Sequence, residues 1–304
     1  MLATRLATGL TLVAALLAVL ILDERLAPWF PLWFLTSTVM MALASMELVG
    51  LLGATSVKPS GNTVLGGTMA LVVANWAPHL VRQLNIDPER PIPVDFDPSA
   101  MIDVMAWPLW TFVAVMMAAF FSQSLQFRRP GQTMATLAGT ILAIAYVGLL
   151  GGFIIQIRWF DGPYHGLIPL TYLVATAKGS DTGAYTMGRI AGRHKLWPSL
   201  SPNKTIEGAI GGLAFGVGAA LIVTSVAKYA LDAPGLEWGE SVGFGLIVAA
   251  TAQLGDLMES MIKRDCERKD ASSAVPGFGG ILDVLDSLLF AAPVAYGFWN
   301  WFGP

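Results

Sequence analysis

Long apolar runs dominate this chain, and they restrict its fold more than any other feature. The hydrocarbon core of a bilayer holds no water to bond a bare backbone, so each run is read as a helix that satisfies its own N–H and C=O groups. A crossing helix needs about 20 mostly apolar residues. Nine stretches qualify, the first of them short: 6–22, 29–53, 63–82, 101–121, 133–157, 164–188, 207–230, 241–262 and 281–302. The expected fold is all-α, a polytopic integral membrane protein with about nine transmembrane helices. Composition agrees. The chain is 55% hydrophobic and 13% charged, where soluble domains carry about 25% charged residues. A formal net charge of −3 offers no basic face of the kind that binds nucleic acid. The single cysteine, Cys266, excludes an intrachain disulfide. No A-x-A-like site follows the run from Ala7 to Leu22, so it reads as an uncleaved first span.

No internal repeat is evident. Residues 1–160 read as a helical scaffold, with a role in lipid access left open, and residues 161–304 as a catalytic region, the two within one folded unit. Lys and Arg accumulate in cytoplasmic loops. Of the basic residues near span ends, twelve lie on one side of the nine spans and five on the other. The richer side, with the loops around 189–206 and 263–280, is therefore read as cytoplasmic. The acidic, Pro-rich stretch 85–99 reads as a solvated connector. Trp29, Trp33, Trp107, Trp110, Trp159, Trp238, Trp299 and Trp301 lie near span ends and read as interfacial anchors. Glu47 lies well inside the second span. It either faces a site or packs in a protonated or paired form.

Two polar blocks interrupt the apolar pattern. In the eighth span Asp256, Glu259, Ser260 and Lys263 fall at i, i+3, i+4 and i+7, on one helix face, with Gln253 one turn earlier. Asp283 and Asp286 share a face of the ninth. Grouped carboxylates suit a hard divalent cation such as Mg²⁺, which takes one or two carboxylates and fills its octahedron with water and phosphate oxygens. The competing reading is a set of structural ion pairs, although intramembrane charges are costly and seldom idle. Between these spans lie Lys263, Arg264, Arg268, Lys269, Ser272 and Ser273, then Pro276-Gly277-Phe278-Gly279-Gly280. Glycines admit close approach of an anion, and the start of the ninth helix would point its N–H groups at a phosphate.

The second block runs from Lys178 to Gly212. It includes Ser180, Asp181 and Tyr185, then Ser201-Pro202-Asn203-Lys204-Thr205 immediately before the seventh span. Ser201 or Thr205 is expected to cap that helix, whose N-terminus forms an anion site with Lys204 beside it. His194 is expected at the surface, and His79 and His165 have no assigned role.

The stretch from Ser260 to Asp286 resembles the signature of the phosphatidate cytidylyltransferases, the CDP-diacylglycerol synthases. That signature runs S-x-x-K-R-x4-K-D-x-[GSA]-x2-[LIF]-[PG]-x-H-G-G-x-x-D-R-x-D. Ser260, Lys263, Arg264, Lys269, Asp270, Ser272, Gly279, Gly280, Asp283 and Asp286 match it. Phe278 stands where the pattern has His, and Val284 where it has Arg. The upstream S-D-T-G-A-Y and S-P-N-K-T-x-E-G also resemble family blocks, so the likeness covers about residues 175–290. It implies that CTP and phosphatidic acid, drawn from the bilayer, give CDP-diacylglycerol and pyrophosphate at the cytoplasmic face of the inner cell membrane. On that footing Asp256, Lys263, Asp283 and Asp286 are the catalytic candidates, with Mg²⁺ on Asp256 and Asp283, Asp286 and Asp181 as helpers, and a second cation left open. Ser180, Asp181, Tyr185, Ser201, Asn203, Lys204, Thr205, Ser260, Arg264, Lys269, Gly279 and Gly280 are candidates to bind the substrates. No nucleic-acid partner is expected, and a homodimer is left open.

Overall fold

The computed structural model describes residues 2–84, 98–128, 130–160, 164, 166–275 and 279–304. The acidic stretch 85–97, His165, Gly277 and Phe278, on which several of the expectations fall, lie outside these. Nine helices are present among the described residues: α1 (Leu2–Glu24), α2 (Pro31–Gly53), α3 (Gly61–Leu84), α4 (Pro98–Gln126), α5 (Thr133–Ile157), α6 (Leu167–Ala191), α7 (Ile206–Ala230), α8 (Trp238–Asp265) and α9 (Ile281–Phe302). Seven are long and apolar enough to cross a membrane, namely α2 to α5 and α7 to α9. The difference from nine expected spans falls on α1 and α6. Several side chains of α1 lie outside the described set, and Lys178 and Asp181 interrupt the apolar face of α6.

The helix starts follow from local chemistry. Pro31 opens α2, where a missing N–H loses no bond. The next donors, Leu32 N–H and Trp33 N–H, bond the buried Asp23 carboxylate at 2.8 and 3.1 Å. Thr205 Oγ1 accepts from Gly208 N–H at 3.1 Å and so caps α7. Glu237 and Glu240 form a capping box at the head of α8. One feature departs from an all-helical reading: β1 (Lys195–Trp197) and β2 (Ser201–Thr205) pair antiparallel as a small hairpin. Neither strand alternates apolar and polar residues along its length, so neither carries a strand signal.

The chain divides into two compact units. The first comprises residues 1–156 together with Ser272–Leu282. Its core is built on Ala44, Leu48, Val64, Leu71, Ile144, Val147 and Ile155. Gln156 donates to the Asn75 carbonyl at 2.9 Å and lies 2.9 Å from His79 Nε2, which satisfies amide groups that would otherwise be orphaned in an apolar interior.

The second unit comprises residues 157–271 and 283–304. Phe160, Tyr172, Phe244, Tyr296, Phe298 and Trp299 pack as an aromatic cluster. Tyr172 Oη, Thr224 Oγ1 and Ser241 Oγ form a buried hydroxyl chain at 2.8 and 2.5 Å. Trp299 is therefore a core residue, and Trp33 in the first unit is buried as well; neither is the interfacial anchor expected from its position. Glycine sets how closely the helices approach. A Cβ on Gly255 of α8 would lie 2.6 Å from the Asp286 carbonyl oxygen of α9, and one on Gly216 of α7 would lie 2.6 Å from the Ala249 Cβ of α8.

Candidate active site

The closeness of α8 and α9 at Gly255 puts Asp286 next to the polar face of α8. Carboxylate oxygens of Asp256, Glu259 and Asp286 all lie within 4.8 Å of one another. Asp256 is half-buried, Glu259 is fully buried, and Asp286 nearly so. Three lysines surround these acids. Lys204 Nζ is 2.8 Å from Asp256 Oδ2. Lys263 Nζ pairs with Glu259 and, at 2.7 Å, with Asp283 Oδ1. Lys178 Nζ lies 3.2 Å from Asp181 Oδ2, 2.9 Å from Ser287 Oγ and 4.0 Å from Asp286 Oδ1. Ser287 Oγ also donates to Asp181 at 3.3 Å, and Ser287 N–H donates to Asp286 Oδ1 at 2.5 Å.

This donor set suits a divalent cation. It offers three hard oxygen ligands from two helices, within the range one ion can span. Among the described residues, Glu259 Oε1 is buried with no hydrogen-bond partner, a state that costs free energy unless a ligand occupies it. The metal pair expected from the sequence was Asp256 and Asp283. Asp283 lies outside the group of three: its Oδ1 takes Lys263 and its Oδ2 takes Ala271 N–H at 2.9 Å.

Other expected site residues are distributed unevenly. Ser180 and Asp181 stand beside the cluster, Ser180 accepting from Gln253 Nε2 at 3.0 Å. Ser260 is half-buried on the same helix. Thr205 is a helix cap, and Ser201 and Asn203 lie in the hairpin next to Lys204. Tyr185 is exposed and accepts from Arg189 at 3.1 Å. Arg264 and Lys269 are exposed, Arg264 donating to the Arg268 carbonyl at 3.3 Å. His194 is exposed, as expected, and lies 2.5 Å from Glu207.

The head of α9, within the first unit, corrects one expectation. The sequence points its N–H groups at a phosphate, but a carboxylate of the chain itself occupies them. Glu47 accepts from Ile281 N–H at 3.1 Å, Leu282 N–H at 2.8 Å and Ser272 Oγ at 2.7 Å. A Cβ on Gly280 would meet the Glu47 carboxylate, so a side chain there would displace that acid. Gly279 has a φ of +109° and closes a two-way backbone bridge with Val275, at 2.6 and 3.0 Å. Of the two readings of Glu47, it is thus the paired one. Lys178 and Ser287 were not singled out by the sequence as site residues. An intramembrane lysine was a usable signal for the first; Ser287, adjacent to Asp286, carried none.

A sequence model of the cytidylyltransferase family matches residues 3–302. The chain belongs to the cytidylyltransferase family. It is similar to proteins named phosphatidate cytidylyltransferase: 39% identical over 155 residues to that of Bacillus subtilis (strain 168), and 42% identical over 154 residues to that of Staphylococcus aureus (strain COL). It is 41% identical over 154 residues to that of Staphylococcus haemolyticus (strain JCSC1435). Each match covers 51% of this chain and 55% of the relative, so the chain spans about half the length of the curated relatives it matches. In this family member, then, the acids and lysines of the second unit form the candidate catalytic centre.

Proposed function

We propose that the protein transfers a cytidylyl group from CTP to phosphatidic acid, forming CDP-diacylglycerol and releasing pyrophosphate. A lipid phosphate oxygen attacks the α-phosphorus of CTP; the bond from that phosphorus to the β-phosphate bridging oxygen breaks, and the electron pair leaves with pyrophosphate. The nucleophile is already an anion, so no strong general base is needed. The barrier lies in bringing two polyanions together and in stabilising the leaving group, which positioning and charge neutralisation address. One observation carries the reading beyond family membership: Asp256, Glu259, Lys263, Asp283 and Asp286 are concentrated on two helices apolar enough to cross a membrane, where charges are costly and seldom idle.

Asp256, Glu259 and Asp286 would hold a divalent cation such as Mg²⁺, with Asp181 close by. When bound, that ion supplies positive charge against the triphosphate. Lys204, in the hairpin beside the head of α7 and paired with Asp256, would meet substrate phosphate. Lys263, fixed by Glu259 and Asp283, holds its charge in one position. The basic loops support a site that faces the cytoplasm from the cell membrane, where a soluble nucleotide meets a lipid.

The test uses detergent-solubilised protein with CTP, phosphatidic acid and increasing Mg²⁺. Pyrophosphate release should need both lipid and Mg²⁺. Asp256→Asn and Asp286→Asn should each lose at least about 100-fold, because even outer-shell partners of a metal account for 10–100-fold. Full activity in both variants would contradict this site.

A further inference from the structure

The charges around the cation site do not balance. Asp181, Asp256, Glu259, Asp283 and Asp286 supply five carboxylates, and Lys178, Lys204 and Lys263 supply three ammonium groups within reach of them. Two negative charges remain when all are ionised, the charge of one divalent cation. The lysines differ in how they are held. Lys263 is gripped by two acids and Lys204 meets an edge acid. Lys178 alone shares an acid of the carboxylate trio without contacting it closely: its Nζ stands 4.0 Å from Asp286 Oδ1, tied instead to Asp181 and Ser287. Its side chain is 32% exposed and also borders an open groove of about 540 Å³ with Gly179, Thr182, Ala214, Phe215 and Gly218.

We propose that Lys178 is a tethered counter-ion that competes with the divalent cation for Asp286 and so sets the affinity of the site. This rests on the cation site proposed above. In the absence of metal the ammonium offsets the repulsion among Asp181, Asp286 and Asp256. When a cation arrives, two like charges face one carboxylate, and each weakens the hold of the other. Lys178 is a positioning residue in this scheme: it acts through Asp286 and need not touch the reacting atoms. The consequence is a site that binds bare metal weakly and fills mainly when nucleotide phosphates add negative charge.

The experiment titrates Mn²⁺ into the purified protein without nucleotide and follows free Mn²⁺ by electron paramagnetic resonance. Lys178→Gln should bind Mn²⁺ about tenfold more tightly than the parent, since removing a nearby like charge favours a bound cation. Lys178→Arg keeps the charge and should bind as the parent does. Bound Mn²⁺ should also raise the melting temperature of Lys178→Gln by more than that of the parent, in proportion to the tighter binding. Lys178→Met, which preserves the stem of the side chain, replaces the Gln variant if the latter does not fold. Equal or weaker binding by the uncharged variant would overturn the proposal while leaving the cation site in place. Absence of Mn²⁺ binding in the parent and all variants would overturn the cation site and the proposal together.

Discussion

At the scale of single residues, the acids of this site are held by neighbours of opposite charge, and removing either partner has unequal consequences. Glu259 is fully buried and its ion pair with Lys263 is its only charge partner among the described residues. Lys263→Met should therefore destabilise the protein by about 3–5 kcal/mol, the cost of leaving a buried charge unpaired. The double variant Lys263→Met/Glu259→Gln should recover part of that loss, read as the melting temperature in detergent. Additive losses would mean the two side chains are not coupled. Cys266 gives a second check. It lies just past the end of α8, and burial, reinforced by the neighbouring Asp265, pushes its thiol above the ordinary value. A raised thiol carries less thiolate at a given pH. Alkylation of the folded protein should accordingly show its midpoint at higher pH than alkylation of the unfolded chain. A midpoint at or below the unfolded one would show that the thiol is activated, against this placement.

At the scale of elements, glycine and a long-range cap set the geometry. Gly255→Ala puts a methyl group against the Asp286 carbonyl oxygen and the Phe290 Cβ, at 2.6 and 2.9 Å. Overpacking of this kind costs about 1–3 kcal/mol, and here it should also loosen the carboxylate trio, seen as weaker Mn²⁺ binding. Unchanged binding would mean that α9 does not need this approach. Glu47→Ala should raise amide exchange at Ile281 and Leu282, whose donors it leaves without an acceptor, and little elsewhere in α9. These examples also separate what the sequence discloses from what it hides. The shared face of Asp256, Glu259 and Lys263 follows from helical spacing alone. That Asp286 rather than Asp283 completes the trio does not, because two acids three residues apart share a face and only the packing at Gly255 chooses between them. The grip of Glu47 on residues more than 200 positions away is equally invisible to local pattern. The hairpin at 195–205 is not legible because β1 is only three residues long and β2 is polar and contains Pro202.

For the whole molecule, the apolar pattern is enough to reach an all-helical membrane protein, while the number of crossings is less well set. Charge in α6 lowers its hydropathy, and the same charge supplies Lys178 and Asp181 to the site. The proposed orientation rests on the basic loops. Lys269→Cys, exposed in the loop after α8, should react with an impermeant maleimide only from the cytoplasmic side of sealed vesicles. Labelling from the opposite side would reverse the topology and remove the nucleotide's access to the site. The central claim is the transfer itself, and the fate of a labelled phosphate tests it most directly. CTP labelled at the α-phosphate should deliver its label to the lipid fraction in the presence of phosphatidic acid and Mg²⁺, while CTP labelled at the γ-phosphate delivers its label to pyrophosphate. Label from the γ-phosphate in the lipid, with CDP released, would make the protein a lipid kinase and contradict the account.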